Sequence, residues 1–386
     1  MNTRLSAGCH FIRLTPQGRG AVATLRVQGA QATQLVGLFF QIAANRQLDQ
    51  VPVDEIMYGC WRSVDGAGSE DVVVCRRSTE AIEIHSHGGL AAQNAIMESL
   101  QQHGAEPMLW QDWVASQHAS RIQASARVAL SAAHTEKTAC ILLDQLYGAL
   151  DQELAEIIEW IRANRADHAL RRLDLLLAYA RAGESLTRPW RVAVAGPPNV
   201  GKSSLINVIL GFERSIVADQ PGTTRDLLTS ETALDGWPIH LIDTAGMREE
   251  AVGLEQAGIL LAVEKTSGAD LTLLVFDASQ PWEPQYDGLR NQYAEAVIVY
   301  NKIDLIESAD LAKRPDPDQP FISALRGDGI DSLLQLIVQR LVPVVPPRGV
   351  AVPFLGEHRD TIAGARQLLA SGHLELAITE LRNLAR

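Results

Sequence analysis

The 386-residue sequence is long enough for two or three domains, each with a hydrophobic core of its own. Hydrophobic residues make up 46% and charged residues 21%, a composition that excludes an intrinsically disordered chain. The formal net charge of −12 excludes a global basic field, so we expect no stable DNA binding and only local contacts with RNA. No apolar run reaches the length of a membrane span and the N-terminus lacks a secretory signal, which predicts a cytoplasmic protein that does not bind membranes.

The N-terminal part of the chain predicts a small α+β domain over residues 1–108. Helical patterns predict one helix from about Ala30 to Ala44 and a second after Gly89 to about Gly104. Short apolar runs bounded by turn residues predict five strands, at Phe11–Leu14, Ala21–Val27, Tyr58–Ser63, Asp71–Arg76 and Ala81–His85.

The next segment is helical in pattern and predicts a bundle that is split in the sequence. Apolar residues at intervals of three and four predict one long amphipathic helix with a single apolar stripe, formed by Leu143, Leu146, Leu150, Leu154, Ile157 and Ile161. A second helix is predicted at about Asp167–Ala182, and the last forty or so residues return to helical spacing. We therefore predict a helical domain made of residues 109–187 and 345–386.

Between these two halves, strands and helices alternate, which predicts an inserted, doubly wound α/β domain over residues 188–344. Its first strand leads into Gly196-Pro197-Pro198-Asn199-Val200-Gly201-Lys202-Ser203, and a helix follows. This strand, loop and helix form the context of a phosphate-binding P-loop, in which backbone N–H groups surround phosphate oxygens. We expect Lys202 to reach the β- and γ-phosphates and Ser203 to bind Mg²⁺. The predicted nucleotide contacts in this segment are Gly196, Asn199, Val200, Gly201, Lys202, Ser203 and Ser204.

A second motif indicates which nucleotide binds. Asn301-Lys302-Ile303-Asp304 follows the apolar strand that ends at Tyr300. Asp304 can accept hydrogen bonds from the N1–H and the N2 amine of guanine, whereas adenine lacks that amine and would leave a carboxylate unpaired. Ser323 and Ala324 follow another strand end and are predicted to cover the base. The pattern predicts GTP and GDP as ligands.

The segments between these motifs predict the metal site and the switches. Asp243 follows an apolar strand and is expected near Mg²⁺, while the amide of Gly246 is expected to sense the γ-phosphate. Thr224 is the predicted second hydroxyl ligand of Mg²⁺, with Thr223 as the alternative.

Met247 stands where Ras-like GTPases have a water-orienting glutamine, so another residue must position the attacking water. The residues themselves leave Glu249, Glu250 and Glu255 open for this role, or for none. No arginine finger is identifiable, and a monovalent cation bound by Asn199 is an alternative.

These motifs together resemble the MnmE (TrmE) family of tRNA modification GTPases. The resemblance extends over nearly the whole chain and is densest from Trp190 to Ser323. It rests on stretches beyond the P-loop: Gly18-Arg19-Gly20, Val22–Gly29, Glu83–Gly89, Asp243–Glu249 and Glu255–Ile259.

The resemblance implies potassium-stimulated GTP hydrolysis, with Asn199 as the K⁺ ligand and Glu255 as the water-positioning glutamate. It also implies a homodimer formed by the N-terminal domain, whose one-carbon tetrahydrofolate would bind in the region that holds Arg19 and His85. A flavoprotein partner related to MnmG and a tRNA with a wobble uridine complete the expected set.

Members of this family usually end in Cys-x-Gly-Lys, whereas the sequence given stops at Asn383-Leu384-Ala385-Arg386. We therefore expect a divergent member in which GTP hydrolysis is intact. Two alternatives remain at this stage: a regulatory GTPase of MnmE descent without modification activity, and a GTPase of ribosome assembly or RNA binding. The acidic charge and the lack of a recognisable RNA-binding module argue against the last.

Overall fold

In the computed structural model the described residues are 8–16, 18, 20–43, 46–62, 69–212, 230–243, 268–306 and 318–385. They belong to two compact units, Met1–His118 and Ala119–Arg386. The first unit is α+β and the second combines helices with an α/β sheet, so the predicted multidomain α+β and α/β class is confirmed. None of the described helices combines the length and the apolar character of a membrane span.

The first unit contains a seven-stranded sheet in the order β3-β4-β5-β6-β2-β1-β7. All neighbouring strands are antiparallel except β1 and β7, which are parallel. Its elements are β1 (His10–Arg13), β2 (Val22–Gln28), α1 (Ala32–Gly37), β3 (Phe40–Ile42), β4 (Ile56–Arg62), β5 (Ser69–Arg76), β6 (Ala81–His87), α2 (Leu90–Gln102), β7 (Glu106–Met108) and α3 (Trp110–Gln117).

The two faces of this sheet differ because side chains alternate along each strand. Met57 and Trp61 of β4 are buried in one core with Ile96 and Leu100 of α2. The intervening side chains of β4 point to the opposite face, where Tyr58 is exposed. One face of the sheet therefore carries the core of the unit and the other remains accessible around β4.

The prediction of one helix over Ala30–Ala44 is wrong. The structure has the short helix α1 and then β3, whose Phe40 pairs with Trp61 of β4. Phe39 also stacks on Trp61, with ring centroids 5.2 Å apart. Strand pairing and aromatic packing outweigh the local helical pattern here, because that pattern contributes only tenths of a kcal/mol per residue, roughly.

The second unit begins with four helices and ends with two. The helices that close the chain pack against the earlier ones: α11 contacts α7, and α12 contacts α6 and α4. The bounds are α4 (Arg121–Leu130), α5 (Glu136–Leu146), α6 (Ala149–Arg162), α7 (Ala166–Gly183), α11 (Gly356–Ala370) and α12 (Leu374–Ala385).

The single long helix predicted over Leu143–Ile161 is wrong, because the structure has two helices, α5 and α6. Gly148 separates them with a φ of 97°, a left-handed conformation that glycine adopts without steric cost. Leu150, Leu154, Ile157 and Ile161 are buried together in the core of this unit. The predicted apolar stripe therefore identifies the buried face of α6 correctly. The same stripe extends across the turn at Gly148 into α5, which is why one helix was predicted in place of two.

The α/β part of the second unit contains a five-stranded sheet in the order β12-β11-β8-β10-β9. β12, β11, β8 and β10 are parallel to one another, and the edge strand β9 is antiparallel to β10. The carboxyl ends of four strands therefore meet at one edge of the sheet. The bounds are β8 (Trp190–Ala195), α8 (Lys202–Phe212), β9 (Ser230–Leu234), β10 (Trp237–Asp243), β11 (Leu271–Asp277), α9 (Gln285–Gln292), β12 (Val297–Asn301) and α10 (Ile330–Leu341).

Candidate nucleotide-binding site

The P-loop connects the end of β8 to the start of α8, at the edge where the parallel strands end. Both glycines of the loop are required because a side chain would not fit at either position. A Cβ on Gly196 would lie 2.1 Å from the carbonyl oxygen of Val275, and one on Gly201 would lie 2.3 Å from Nδ2 of Asn301. Both glycines also have positive φ, 141° and 94°. The loop backbone thus lies directly against its neighbours, as a loop that presents N–H groups to phosphate must.

Lys202 opens α8 and is only 5% exposed. Its Nζ donates hydrogen bonds to the carbonyl oxygens of Gly196, at 3.1 Å, and Pro197, at 2.6 Å. The ammonium group is therefore held inside the curve of the P-loop. At this position it can exchange carbonyl oxygens for the β- and γ-phosphate oxygens of a nucleotide.

Ser203 and Asp243 form the oxygen-rich side of the site. Asp243 ends β10, and its Oδ2 accepts a hydrogen bond of 3.1 Å from Oγ of Ser203. A hydroxyl and a carboxylate are oxygen donors of the kind that Mg²⁺ prefers. These two residues fit the magnesium ion expected with a bound triphosphate, as the sequence predicts.

Asn301 links the P-loop to the segment that contains Ala324. Its side chain is almost fully buried, at 2% exposure. Nδ2 donates to the carbonyl of Val200 over 2.9 Å, and Oδ1 accepts from the amide of Ala324 over 3.0 Å. Asn301 therefore holds the two segments predicted to contact phosphate and base at a fixed separation.

Asp304 lies at the base-recognition end of the site and is partly exposed. Its Oδ1 accepts a hydrogen bond of 2.5 Å from Oγ of Ser323, a residue with no exposed surface. The Ser323 hydroxyl also accepts from the amide of Arg326, at 3.1 Å, which fixes its orientation. The carboxylate is thus held in place where the sequence predicts that guanine binds.

The comparisons with known proteins agree with this geometry. Residues 191–302 match a family described as 50S ribosome-binding GTPase. The tRNA modification GTPase MnmE of Lactiplantibacillus plantarum is 30% identical over 369 residues, which are 84% of this chain and 79% of that protein. The chain belongs to the MnmE family. The tRNA modification GTPase MnmE of Geotalea uraniireducens is 29% identical over 96% of this chain and 91% of its own length. This MnmE-family chain is a GTPase that converts GTP and water to GDP and phosphate.

Lys302 is the next residue of the motif and has a left-handed backbone, with φ 69°. Its Nζ donates to the carbonyl oxygen of Asn199 and to Oδ2 of Asp277, both over 2.7 Å. Asn199 itself has φ 61°, and its side chain is exposed. The base-recognition motif therefore reaches back to the P-loop residue predicted as the potassium ligand.

Asp277 was not predicted from the sequence. It ends β11 and occupies the same position in its strand as Asp243 and Asn301 occupy in theirs. Burial alone would raise the pKa of Asp277, but hydrogen bonds from Lys302 and Ser279 bring it below its ordinary value. The carboxylate is therefore charged at neutral pH. A polar residue that ends an apolar parallel strand was a signal available in the sequence.

The remaining residues predicted to form sites lie on α8, in the first unit or outside the described residues. Ser204 is exposed on the first turn of α8, one residue beyond Ser203. His85 lies in the first unit, and its Nδ1 is 2.9 Å from Oγ1 of Thr24. The predictions that lie outside the described residues are Arg19, Thr223, Thr224, Gly246 and the water-positioning candidates Glu249, Glu250 and Glu255.

Proposed function

We propose that this GTPase acts in the modification of the tRNA wobble uridine, as a potassium-stimulated homodimer that works with a flavoprotein related to MnmG. The observation that carries the proposal is the extent of the family relationship. It covers both compact units and 91% of the length of the Geotalea relative, which is a tRNA modification GTPase. The family model for the GTPase domain, by contrast, matches residues 191–302 only.

In the proposed mechanism the P-loop binds the β- and γ-phosphates, and water attacks the γ-phosphorus in line with the bond to the β-phosphate oxygen. Lys202 neutralises the charge that develops on these oxygens. Ser203 and Asp243 would hold Mg²⁺, which would stabilise that charge as a Lewis acid. GDP leaves with the bridging oxygen, and the proton of the attacking water passes to phosphate or solvent.

Glu255 is proposed to position the water. Replacing it with alanine should leave GDP affinity unchanged and slow hydrolysis by about a hundredfold, a typical contribution of a positioned acid or base. Single-turnover hydrolysis of GTP measures this, with Glu249→Ala as the matched variant. If Glu249→Ala slows the reaction and Glu255→Ala does not, the role belongs to Glu249.

Asn199 is proposed as the K⁺ ligand because its side chain is exposed in the P-loop while Lys302 fixes its carbonyl. GTP turnover should be faster in potassium than in sodium at matched ionic strength, and should rise with protein concentration. Asn199→Ala should remove the difference between the two salts while GDP still binds. Equal turnover of the unaltered protein in both salts at every concentration would reject the cation and its link to dimerisation.

The accessible sheet face of the first unit is proposed as the dimer surface. Ile56 and Tyr58 of β4 are 73% and 58% exposed, and Val22 of β2 is 57% exposed. Burying such side chains against a second copy would remove apolar surface from water. Ile56→Glu should shift sedimentation from dimer toward monomer, whereas Leu376→Glu, a change at an exposed leucine of α12, should not. Unchanged sedimentation of Ile56→Glu would exclude this face.

The same unit is proposed to bind a one-carbon tetrahydrofolate near Arg19 and His85. His85 is only partly buried, and its ring is oriented by Thr24. Titration calorimetry with a tetrahydrofolate should show binding that His85→Ala weakens. Equal binding by both proteins would place the ligand elsewhere.

The tRNA role is tested by the partners that the protein captures. Affinity purification from its own cells in the presence of a non-hydrolysable GTP analogue should recover a flavoprotein, and tRNA wobble uridines should lose their modification when the gene is deleted. Recovery of ribosomal particles without the flavoprotein, together with unaltered tRNA, would favour ribosome assembly instead.

A further inference from the structure

Lys302 is held between two different elements of the nucleotide site. On one side its ammonium group is 2.7 Å from the Asn199 carbonyl of the P-loop, and on the other it is 2.7 Å from Oδ2 of Asp277. The side chain of Asp277 is 12% exposed and that of Lys302 is 31% exposed. The ion pair is thus mostly shielded from water, and its hydrogen bonds are stronger than those of an exposed pair.

Asp277 is itself fixed by its surroundings. Its Oδ1 accepts two hydrogen bonds from Ser279, 2.9 Å from the amide and 2.6 Å from the hydroxyl. The register of the sheet places Asp277 directly opposite Asn301, the residue before Lys302. The carboxylate can therefore change neither its direction nor its distance from Lys302 without breaking these contacts.

The backbone of Lys302 adds a further constraint. Its φ of 69° is a conformation that residues with a Cβ rarely adopt. Because a long ammonium side chain has many rotamers in water, a fixed carboxylate is needed to keep it directed at one carbonyl. Asn301 makes the neighbouring contact, to the carbonyl of Val200. Consecutive carbonyls of the P-loop are thus held by consecutive residues of the base-recognition motif.

We propose that Asp277 is a positioning residue for the nucleotide, which directs Lys302 onto the Asn199 carbonyl and so holds the P-loop against the guanine-binding segment. Asp277 acts through Lys302 and does not itself contact the ligand. The inference rests on the GTP site of the proposed function and is independent of the tRNA, potassium and dimer parts of it.

A double-mutant cycle on GDP affinity tests the proposal. In the full chain, Asp277→Asn should weaken binding of a fluorescent GDP analogue by about tenfold, the loss expected when one charge-assisted hydrogen bond is removed. Lys302→Met should weaken it at least as much. The double variant should bind no more weakly than Lys302→Met alone, because Asp277 then has nothing to position.

Ser279→Ala provides a milder second variant, since it removes one hydrogen bond to Oδ1 and keeps the charge. It should weaken GDP binding by roughly threefold, and this loss should also vanish in the Lys302→Met background. If Asp277→Asn does not fold, this pair of measurements decides the question. Losses that multiply in the double variants, or GDP affinity that stays within about twofold of the unaltered protein, would overturn the proposal.

Asp270 is the matched control, because it lies just before the opposite end of the same strand. Its carboxylate pairs with Arg188 and accepts from the amide of Arg191, and these bonds hold its pKa below the ordinary value against the effect of burial. Asp270→Asn should lower the thermal midpoint and leave GDP affinity unchanged. If it weakens GDP binding as much as Asp277→Asn, general destabilisation explains both results and the proposal fails. Absence of GDP binding by the unaltered protein would instead reject the GTP site itself.

Discussion

Gly201 lies directly against Asn301 of the base-recognition segment. An added Cβ would lie 2.3 Å from Nδ2 of Asn301 and would push that amide away from the carbonyl of Val200. The φ of 94° adds strain for any residue other than glycine. Gly201→Ala should therefore weaken GDP affinity by at least about tenfold, as measured by fluorescence titration.

Gly211, on the helix that follows the P-loop, provides the control. A Cβ there meets no atom of the described residues within 4 Å, and its φ is not in the positive region. Gly211→Ala should leave GDP affinity unchanged and stabilise α8 by about 0.5–1 kcal/mol. Weaker GDP binding by Gly211→Ala, or unchanged binding by Gly201→Ala, would contradict the steric argument.

Asp304 should determine the choice of base. Asp304→Asn replaces a carboxylate that accepts hydrogen bonds with an amide, whose NH₂ group opposes the N2 amine of guanine. GTP affinity should fall by tenfold or more, roughly, because a donor then faces a donor. Xanthosine triphosphate, which has a carbonyl at that position, should bind the variant better than GTP does. Competition titrations measure both, and unchanged GTP affinity would show that Asp304 does not contact the base.

At this scale the sequence predicts a role for a residue wherever a motif is contiguous. Gly196–Ser203 and Asn301–Asp304 each combine their residue types at fixed spacing, and the structure brings these two segments together. Asp277 ends an apolar strand, which the sequence shows, but its pairing with Lys302 depends on the register of β11 against β12, which places Asp277 opposite Asn301. Contacts that depend on strand pairing are not encoded in local spacing.

At the scale of elements, the turn between β9 and β10 connects the helical and α/β parts of the second unit. Thr135, which caps α5, donates from Oγ1 to the carbonyl of Gly236 over 2.7 Å. Lys137 donates to the carbonyl of Asp235 over 2.6 Å and to its carboxylate over 2.8 Å. Because β10 ends at Asp243, this turn joins a helix terminus to the strand that carries a predicted magnesium ligand.

Gly236→Ala should destabilise the protein through that turn. Its φ is 74°, and the added Cβ would lie 3.0 Å from Cβ of Lys137. Gly372→Ala is the matched change, since Gly372 has φ 81° and an added Cβ would have none of the described atoms within 4 Å. Both should lose about 1–2 kcal/mol for the left-handed backbone. Denaturant unfolding should show a larger loss in the free energy of unfolding for Gly236→Ala. Equal losses for the two variants would mean that the contact with Lys137 relaxes without cost.

The elements themselves were only partly predictable. The spacing of leucines and isoleucines located the buried face of α6, but it gave no sign that Gly148 turns the chain just before Ala149. In the first unit, β3 was hidden because three residues provide too short a pattern, and its pairing with β4 depends on residues about twenty positions away. Periodicity reports which side of an element is buried, whereas its ends depend on backbone conformation and on distant partners.

At the scale of the molecule, the chain runs from the helical part into the α/β part, and specific hydrogen bonds join it to the helical part where it returns. Gln145 of α5 is fully buried, donates to the carbonyl of Val350 over 3.0 Å and accepts from the amide of Val352 over 3.1 Å. Asp144 accepts from the amide of Gly349 over 2.8 Å. The chain that comes back after α10 is thus hydrogen-bonded to a helix that precedes β8. These contacts are consistent with the domain insertion predicted from the sequence, which stays a prediction.

The acid stability of the whole chain should depend on His358 of α11. Its ring packs edge-on against Phe354 and is 1% exposed, and burial, followed by the charge of Arg121, lowers its pKa from 6.5 to about 4. Between those two values the unfolded chain binds a proton that the folded chain does not. The contribution of His358 is therefore complete above about pH 6.5 and is lost as the pH falls toward about 4.

This loss should amount to about 2 kcal/mol between about pH 7.5 and about pH 5. His358→Leu should flatten the fall in the free energy of unfolding by that amount, because leucine carries no titrating group into the core. Denaturant unfolding followed by circular dichroism at both pH values measures it. His373→Gln, a change at an exposed histidine near the start of α12, should leave the slope as it is. A His358→Leu protein that loses as much stability on acidification as the unaltered chain would show that His358 already binds its proton in the folded state.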